Sequence, residues 1–150
     1  MIGLLQRVQH ASVTVDDKKI AHIGQGLLVL IGVERNDSIA QADRLLTRLL
    51  GYRVFSDEHD KMNLSVQDIN GGLLLVPQFT LPANTKKGMR PSFTPAADPE
   101  TGRKLFNYLV SEAQQQHADV ASGKFSADMQ VSLTNDGPVT FWLHAAPDSI

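Results

Sequence analysis

Three short segments of the sequence combine residue types that could do chemistry. In the first, Gln78, Phe79 and Thr80 follow Pro77 at the end of an apolar stretch, so an amide and a hydroxyl stand together where strand pairing should stop. Backbone N–H groups released from strand pairing at such a point can stabilise an oxyanion. An ordinary strand end with polar caps explains the same residues, and spacing alone leaves both interpretations open.

The second segment is Asn135-Asp136-Gly137-Pro138. Asp-Gly between alternating strands predicts a tight hairpin turn. The proline that follows lacks an N–H that a hairpin would use, and an X-Pro bond adopts the cis form at modest cost. The segment is therefore either a plain turn or a rigid tip, in which Gly137 and Pro138 present backbone carbonyls or a steric wall.

The third segment is the densest basic stretch of the chain, and it carries Lys86, Lys87 and Arg90, with Phe93 close behind. Cationic side chains beside an aromatic ring suit the phosphates and bases of RNA, although a solvated loop has the same composition. The whole chain has a net charge of -2 at pH 7, which argues against a protein that coats long stretches of nucleic acid. A protein that grips a short end of RNA is compatible with this charge.

Other kinds of site find no support in the sequence. The chain has no cysteine, which excludes disulfides and thiolate nucleophiles. Its five histidines do not fall at metal-ligand spacing on one predicted element, so no metal and no cofactor is expected. Nucleophile-elbow and nucleotide-binding glycine patterns are absent. An early polar N-terminus and short apolar runs predict a soluble, cytoplasmic protein with no membrane partner.

The segments must be positioned by one domain over residues 1–150, since this length and an apolar content of 42% suit a single core. Strands are predicted over residues 4–15, 26–33, 52–55, 73–76, 129–134 and 139–144, with a further strand after a turn at 16–19 and the last two flanking the Gly137-Pro138 turn. Residues 145–150 have little to anchor them and are expected to fray.

Two helices are predicted between these strands. The first has Ser38 and Gln41 at capping-box spacing and Gly51 as a left-handed terminator. Its apolar stripe is formed by Ile39, Ala42, Leu45, Leu46, Leu49 and Leu50. The second begins with Asp98 as cap and Pro99 in the first turn. The order of elements predicts an α+β domain with a mostly antiparallel, barrel-like sheet and two helices packed on it.

Taken together, the segments resemble the D-aminoacyl-tRNA deacylase family of the bacterial and eukaryotic type, over almost the whole chain. The most specific matches are Gln78-Phe79-Thr80-Leu81 and the Asn-x-Gly-Pro-x-Thr pattern at residues 135–140; others lie at residues 6–8, 11–13, 51–55, 61–64, 88–93 and 123–129. The family pattern usually has serine before the glutamine, where this chain has Pro77. A hydroxyl at position 77 therefore cannot be required for catalysis here.

The resemblance implies a hydrolase that releases D-amino acids, and also glycine, from the terminal ribose of tRNA without a metal or organic cofactor. It implies a homodimer in which Gly137 and Pro138, joined by a cis peptide bond, enter the partner's site and exclude L side chains. Arg7 would hold that motif. Phe125 and Met129 would line the pocket near the terminal adenosine, and the floor at the scissile ester would consist of Gln78, Phe79 and Thr80.

Thr80 is the only hydroxyl of the Gln78–Thr80 segment and is a candidate nucleophile, but a threonine nucleophile needs a base. None lies nearby in sequence, so the fold or the partner subunit would have to supply it. We therefore favour attack by water, helped by the ribose 2′-hydroxyl, with the N–H groups of Phe79 and Thr80 stabilising the oxyanion. Two other functions remain open. One is a non-catalytic binder of RNA acceptor ends that uses the basic stretch, and the other is a hydrolase of small esters or amides.

Overall fold

In the computed structural model, which describes residues 1–147, the chain forms a sheet-based domain with two helices. The strands are β1 Ile2–Val15, β2 Lys18–Ile23, β3 Gly26–Gly32, β4 Phe55–Ser56, β5 Met62–Leu64, β6 Gly72–Pro77, β7 Val120–Ser122 and β8 Gln130–His144. The helices are α1 Ile39–Gly51 and α2 Pro99–Gln116. The predicted α+β class, with a barrel-like and mostly antiparallel sheet, is confirmed.

Strand β1 organises the main sheet. It pairs antiparallel with β3 along its first half and with β2 along its second half, and β8 follows it along the other edge. The sheet continues from β3 to β6 and from β6 to β7 in parallel pairs. These parallel pairs were not predicted; they arise because α1 and α2 each carry the chain back to the starting edge of the sheet.

The helix starts agree with the sequence. Ser38 and Gln41 form a reciprocal capping box at the start of α1, and the Asp98 carboxylate accepts the Thr101 N–H at the start of α2, at 3.1 Å. Each bond satisfies a backbone donor that the first helical turn leaves unpaired. Neither helix of residues 1–147 has the length and apolar character needed to cross a bilayer.

Two details of α1 were predicted wrongly. Gly51 is helical rather than left-handed, and Tyr52 ends the helix in an extended conformation. Ile39 is 52% exposed, because it occupies the first helical position, before the apolar stripe turns toward the sheet. The remaining members of the stripe are buried, as predicted.

Apolar side chains cover both faces of the sheet. The helices pack on one face, in a cluster that includes Leu5, Val29, Leu45, Leu49 and Phe106. The other face curves over a second cluster that includes Val8, Val13, Ile23, Leu28 and Leu74. Burying one such aliphatic side chain contributes about 1.5–3 kcal/mol, so strands β1, β3 and β6 form a rigid base for the loops at their ends.

Strand β8 differs from the predicted hairpin. Its two halves do not pair with each other; both pair with β1, and the strand continues from Gln130 to His144 without a break. Gln6 lies opposite Thr140 and Val8 lies opposite Asn135, so residues 136–139 face Arg7 alone. The Gly137-Pro138 segment is therefore a wide bulge within one long strand.

The start of β1 is tied to the end of β8. The α-ammonium of Met1 donates to Asp37 at 2.8 Å, to Glu34 at 3.0 Å and to the Ala145 carbonyl at 2.7 Å. Ala145 is 1% exposed, so the tail predicted to fray is anchored at its first residue. Residues 148–150 of that predicted tail lie outside the described residues.

The carboxylates of Glu34 and Asp37 both contact the Met1 ammonium, but their pKa values shift in opposite directions. Burial would raise the pKa of Glu34, but hydrogen bonds from the Met1 ammonium and from His144 outweigh it and hold the pKa below its ordinary value. Burial raises the pKa of Asp37 despite the same ammonium, because its side chain is fully buried whereas that of Glu34 keeps 19% exposure.

Candidate active site

The segment after β6 forms a compact double turn. Pro77 is the last residue of β6, as its missing N–H predicts, and the Gln78 N–H bonds to the Ile31 carbonyl at 2.8 Å. The Leu81 N–H then bonds to the Gln78 carbonyl. Within residues 1–147, no acceptor receives the N–H groups of Phe79 or Thr80. Two adjacent backbone donors are therefore available to a ligand at this point.

The side chains of Gln78 and Thr80 are joined. The Gln78 Nε2 donates to the Thr80 Oγ1 at 2.5 Å, and the Thr80 side chain is exposed. This bond fixes the hydroxyl group next to the two free backbone donors. The segment thus presents a hydroxyl and two N–H groups on one exposed turn.

An apolar pocket of about 410 Å³ lies beside the turn. Gln78, Phe79, Phe125 and Met129 all line it, so four of the predicted site residues come together although they are distant in sequence. The other lining residues are Ile31, Val33, Pro77, Ala97, Pro99, Gly102, Phe106, Ser126 and Ala127. This lining contains no titratable side chain. The volume and apolar character suit a purine ring better than a charged group.

Part of the pocket wall is built by α2 and the loop after β7. Gly102 permits this wall, since a Cβ at that position would come within 3.2 Å of the Phe125 ring. The Phe106 ring lies next to the Phe125 ring, with centroids 6.4 Å apart. Ser126 has a positive φ of 67°, which turns the loop sharply behind Phe125. Phe125 is therefore held from two sides.

The basic stretch forms a loop next to the turn. Asn84 and Ser92 pair across its base through two backbone hydrogen bonds of 2.8 and 2.9 Å, and the ring of Phe93 lies 5.4 Å from that of Phe79. The predicted RNA-binding residues in the loop, Lys86, Lys87 and Arg90, are all exposed. The structure thus places the cationic loop beside the pocket.

Arg7 contacts the bulge of β8 directly. Its Nε donates to the Asp136 carbonyl at 3.0 Å and lies 3.6 Å from the Asp136 carboxylate. Its Nη1 donates to the Val54 carbonyl at 2.7 Å, so one guanidinium links the bulge to the segment after α1. The Gly137–Pro138 peptide bond within the bulge is cis.

Two residues that the sequence did not single out brace the same bulge. The Asn135 side chain accepts the Val139 N–H at 2.9 Å and donates to the Thr140 hydroxyl at 2.8 Å. Their spacing in the Asn-x-Gly-Pro-x-Thr pattern was a usable signal, because an asparagine and a threonine that flank a turn commonly bridge it. Val54 offered no signal, since only its backbone carbonyl takes part.

Gly137 occupies a tight position. Its φ is +136°, and a Cβ there would lie 2.7 Å from a Val139 methyl carbon and 3.1 Å from an Arg7 guanidinium nitrogen. Any larger residue would be strained and would push against both neighbours. The position therefore requires glycine for reasons of space as well as backbone conformation.

The bulge and the pocket are far apart within one chain. Gly137 lies beside Arg7, which pairs with Leu27 of β3, whereas Gln78 bonds to Ile31 at the far end of β3. At about 3.3 Å per residue along a strand and about 4.8 Å between strands, the separation is on the order of 15–20 Å. Neither Gly137 nor Pro138 lines the pocket.

No metal site was found in the described residues. Within residues 1–147, no three His, Asp or Glu side chains converge in a way that could hold a metal ion. The charged residues 57–61 form an exposed turn, in which the Asp57 carboxylate accepts hydrogen bonds from the His59 and Lys61 N–H groups and the Asn63 side chain.

Comparison with known proteins gives a consistent result. The family model described as D-Tyr-tRNA(Tyr) deacylase matches residues 4–144. A D-aminoacyl-tRNA deacylase of Janthinobacterium sp. (strain Marseille) is 63% identical over 147 residues, covering 98% of this chain and 99% of the relative. The corresponding protein of Ralstonia nicotianae (strain ATCC BAA-1114 / GMI1000) is 59% identical and covers 100% of this chain and 93% of its own length.

Two solved structures share the fold. One, named c-Myc DNA Unwinding Element Binding Protein, is 37% identical, with a TM-score of 0.92 over 96% of this chain and 98% of the other. The second, described as a probable eukaryotic D-amino acid tRNA deacylase, has a TM-score of 0.84 over 95% of this chain and 97% of the other. Its 16% identity supports the fold alone.

Proposed function

Because the chain belongs to the D-Tyr-tRNA(Tyr) deacylase family, we propose that it is a D-aminoacyl-tRNA deacylase, a hydrolase of the ester between a D-amino acid and the terminal ribose of tRNA. The observation that carries this proposal at the site is the pair of free N–H groups at Phe79 and Thr80 beside an apolar pocket. Its place of action would be the cytoplasm, where aminoacyl-tRNA is used.

The geometry supports a mechanism without a protein nucleophile. The terminal adenine would occupy the pocket against Phe125 and Met129, which brings the ester to the Gln78–Thr80 turn. Water would attack the ester carbonyl, with the ribose 2′-hydroxyl assisting, and the N–H groups of Phe79 and Thr80 would stabilise the oxyanion that forms. The acyl C–O bond to the ribose would then break, and the ribose oxygen would leave with a proton that originates from the attacking water. Removing one such donor commonly costs about 10²–10³ in rate. The Thr80 hydroxyl would orient the substrate.

Selection of the D configuration would come from a second copy of the chain. Gly137 and Pro138 lie too far from the pocket of their own chain to contact the same ester. In a homodimer, the bulge of one protomer would enter the site of its partner, bind the substrate amino group through its carbonyls and leave no room for an L side chain. Glycine has no side chain to exclude, so glycyl-tRNA would also be cleaved.

An uncovered apolar strip supports pairing of two copies. Leu4 lies between Leu30 and Trp142 in adjacent strands, on the sheet face opposite the helix-packed Leu143. Trp142 is 53% exposed and belongs to the same strand as the bulge. Covering this strip would therefore bring β8 of each protomer into the interface, together with its Gly137-Pro138 segment.

Deacylation of matched D- and L-aminoacyl-tRNA tests the proposal. We expect rapid release of the D-amino acid, slower release of glycine and no release of the L-amino acid. A non-catalytic binder of RNA ends would protect both esters from spontaneous hydrolysis. A hydrolase of small esters would cleave simple alkyl esters of D-amino acids as fast as it cleaves the tRNA ester. Either result would contradict the proposed function.

A further inference from the structure

A cation on α2 lies at the pocket wall and has no part in the mechanism above. The guanidinium carbon of Arg103 is 5.6 Å from the centroid of the Phe125 ring, and Phe125 lines the pocket next to Gly102. The Arg103 side chain is exposed. Its charge is thus held at the pocket rim by the same ring that forms the wall.

Arg103 differs from its neighbour on the helix in having no acidic partner. Lys104 pairs with Glu100 at 3.3 Å, whereas within residues 1–147 no carboxylate comes within 4.0 Å of the Arg103 guanidinium. A guanidinium stacked on a ring keeps its N–H groups at the edge of the plane available. Such a group binds phosphate oxygens well, through paired hydrogen bonds.

Resting on the proposed function, we propose that Arg103 binds a backbone phosphate on the 5′ side of the terminal adenosine while the adenine occupies the pocket. That phosphate lies one ribose away from the base, and the Arg103 guanidinium carbon lies 5.6 Å from the centroid of a ring that lines the pocket. The basic loop of Lys86, Lys87 and Arg90 also adjoins the pocket, next to Phe79. Arg103 and the basic loop would therefore both lie close to the acceptor strand.

Two substrates separate phosphate binding from support of the pocket wall. D-aminoacyl-tRNA carries the upstream phosphates, whereas D-aminoacyl-adenosine carries the same ester and base without them. We expect Arg103→Gln to raise KM for the tRNA substrate about threefold to tenfold with kcat unchanged, and to leave kcat/KM for the adenosine ester unchanged. The salt dependence of log KM should weaken by about 0.7, the value for one phosphate of a single strand.

Matched variants complete the test. Lys104→Gln removes the same charge from the next residue, but from an existing ion pair, and should change the salt dependence much less. Arg103→Lys keeps the charge and should keep most of the salt dependence. Equal losses on both substrates, or an unchanged salt dependence in Arg103→Gln, would overturn the proposal. If the unmodified protein cleaves neither substrate, the proposed function itself fails, whatever Arg103 does.

Discussion

The side-chain amide of Gln78 donates a hydrogen bond to the hydroxyl oxygen of Thr80. Because this oxygen accepts the bond, the hydroxyl proton of Thr80 points elsewhere and is available to a bound substrate. No titratable side chain of the described residues lines the adjoining pocket, so the pocket lining itself supplies no base to remove that proton. We therefore expect Thr80 to act as a hydrogen-bond donor to the substrate rather than as a nucleophile.

This relationship predicts a moderate effect of Thr80→Ala. Losing one substrate-orienting hydrogen bond, which is not an oxyanion donor, should slow single-turnover deacylation of D-aminoacyl-tRNA about 10-fold to 100-fold, and Thr80→Ser should restore most of the rate. A nucleophile would instead give a loss of about 10⁴–10⁶-fold. Mass spectrometry of the quenched reaction provides the decisive check, since an acyl group covalently attached to Thr80 would refute the proposed mechanism.

Gly137→Ala should damage the bulge and the activity of a homodimer. The added Cβ would meet Val139 and Arg7 at a φ of +136°, so we expect a loss of about 1–3 kcal/mol in the free energy of unfolding. Urea denaturation measures this loss. Gly51→Ala is the matched control, since a Cβ there would meet nothing within 4 Å and Gly51 is helical.

Mixed dimers test whether the bulge acts on the partner's site. A dimer of one Gly137→Ala and one Thr80→Ala protomer would have one intact composite site and one doubly damaged site. Random mixing should recover roughly a quarter of full activity, because half of the dimers carry one intact site each. Tagged protomers establish that mixed dimers have formed. If those dimers are no more active than either parent, the bulge does not serve the partner.

The basic loop should contribute to tRNA binding through charge. Replacing Lys86 and Arg90 with glutamine should flatten the salt dependence of tRNA binding by roughly one to two units of slope. Hydrolysis of D-aminoacyl-adenosine should be unaffected, because that substrate has no upstream phosphate. Lys18 and Lys19, exposed at the far β1–β2 turn, provide a control with the same charge loss. Equal slopes for the two double variants would mean that the loop is merely solvated.

Glu34 should make the free energy of unfolding depend on pH in the acidic range. Its pKa in the folded protein is lowered from 4.5, so the unfolded chain binds more protons in this range. The stability from this carboxylate is therefore present above about pH 4.5 and is lost as the pH falls through the lower folded-state pKa. Glu34→Gln should lower stability at pH 7 and weaken its decline in acid, measured by urea denaturation from pH 3 to 7. Glu58→Gln, at an 86% exposed side chain, should change neither.

The helices were predictable because their signals are local. The Ser38 capping box, the Asp98-Pro99 start and the apolar stripe of α1 depend on residues close in sequence, and all were found in place except for the exposed Ile39. The C-terminal end of α1 was less well predicted. Whether Gly51 stays helical depends on how the chain leaves the helix toward β4, and propensity alone does not specify that path.

The pairing of the strands was much harder to predict than their positions in the sequence. The alternation in residues 130–144 is the same whether the two halves pair with each other or both pair with β1, so Asp-Gly was interpreted as a hairpin. The contact between Phe125 and Arg103 was also invisible, because it joins a helix to a loop that only the folded sheet brings together. Motif resemblance supplied Gln78, Phe79, Phe125 and Met129, which the structure places around one pocket.

The number of residues in the bulge of β8 is linked to which face of the sheet each later side chain of the strand occupies. Side chains alternate between the two faces of a strand, so, unless the bulge itself became one residue shorter, deleting one residue between Asn135 and Thr140 would exchange the faces of everything that follows. Phe141 and Leu143 would leave the helix side, and Trp142 would turn into the core. The fold therefore constrains the number of residues in this segment, in addition to requiring glycine at position 137.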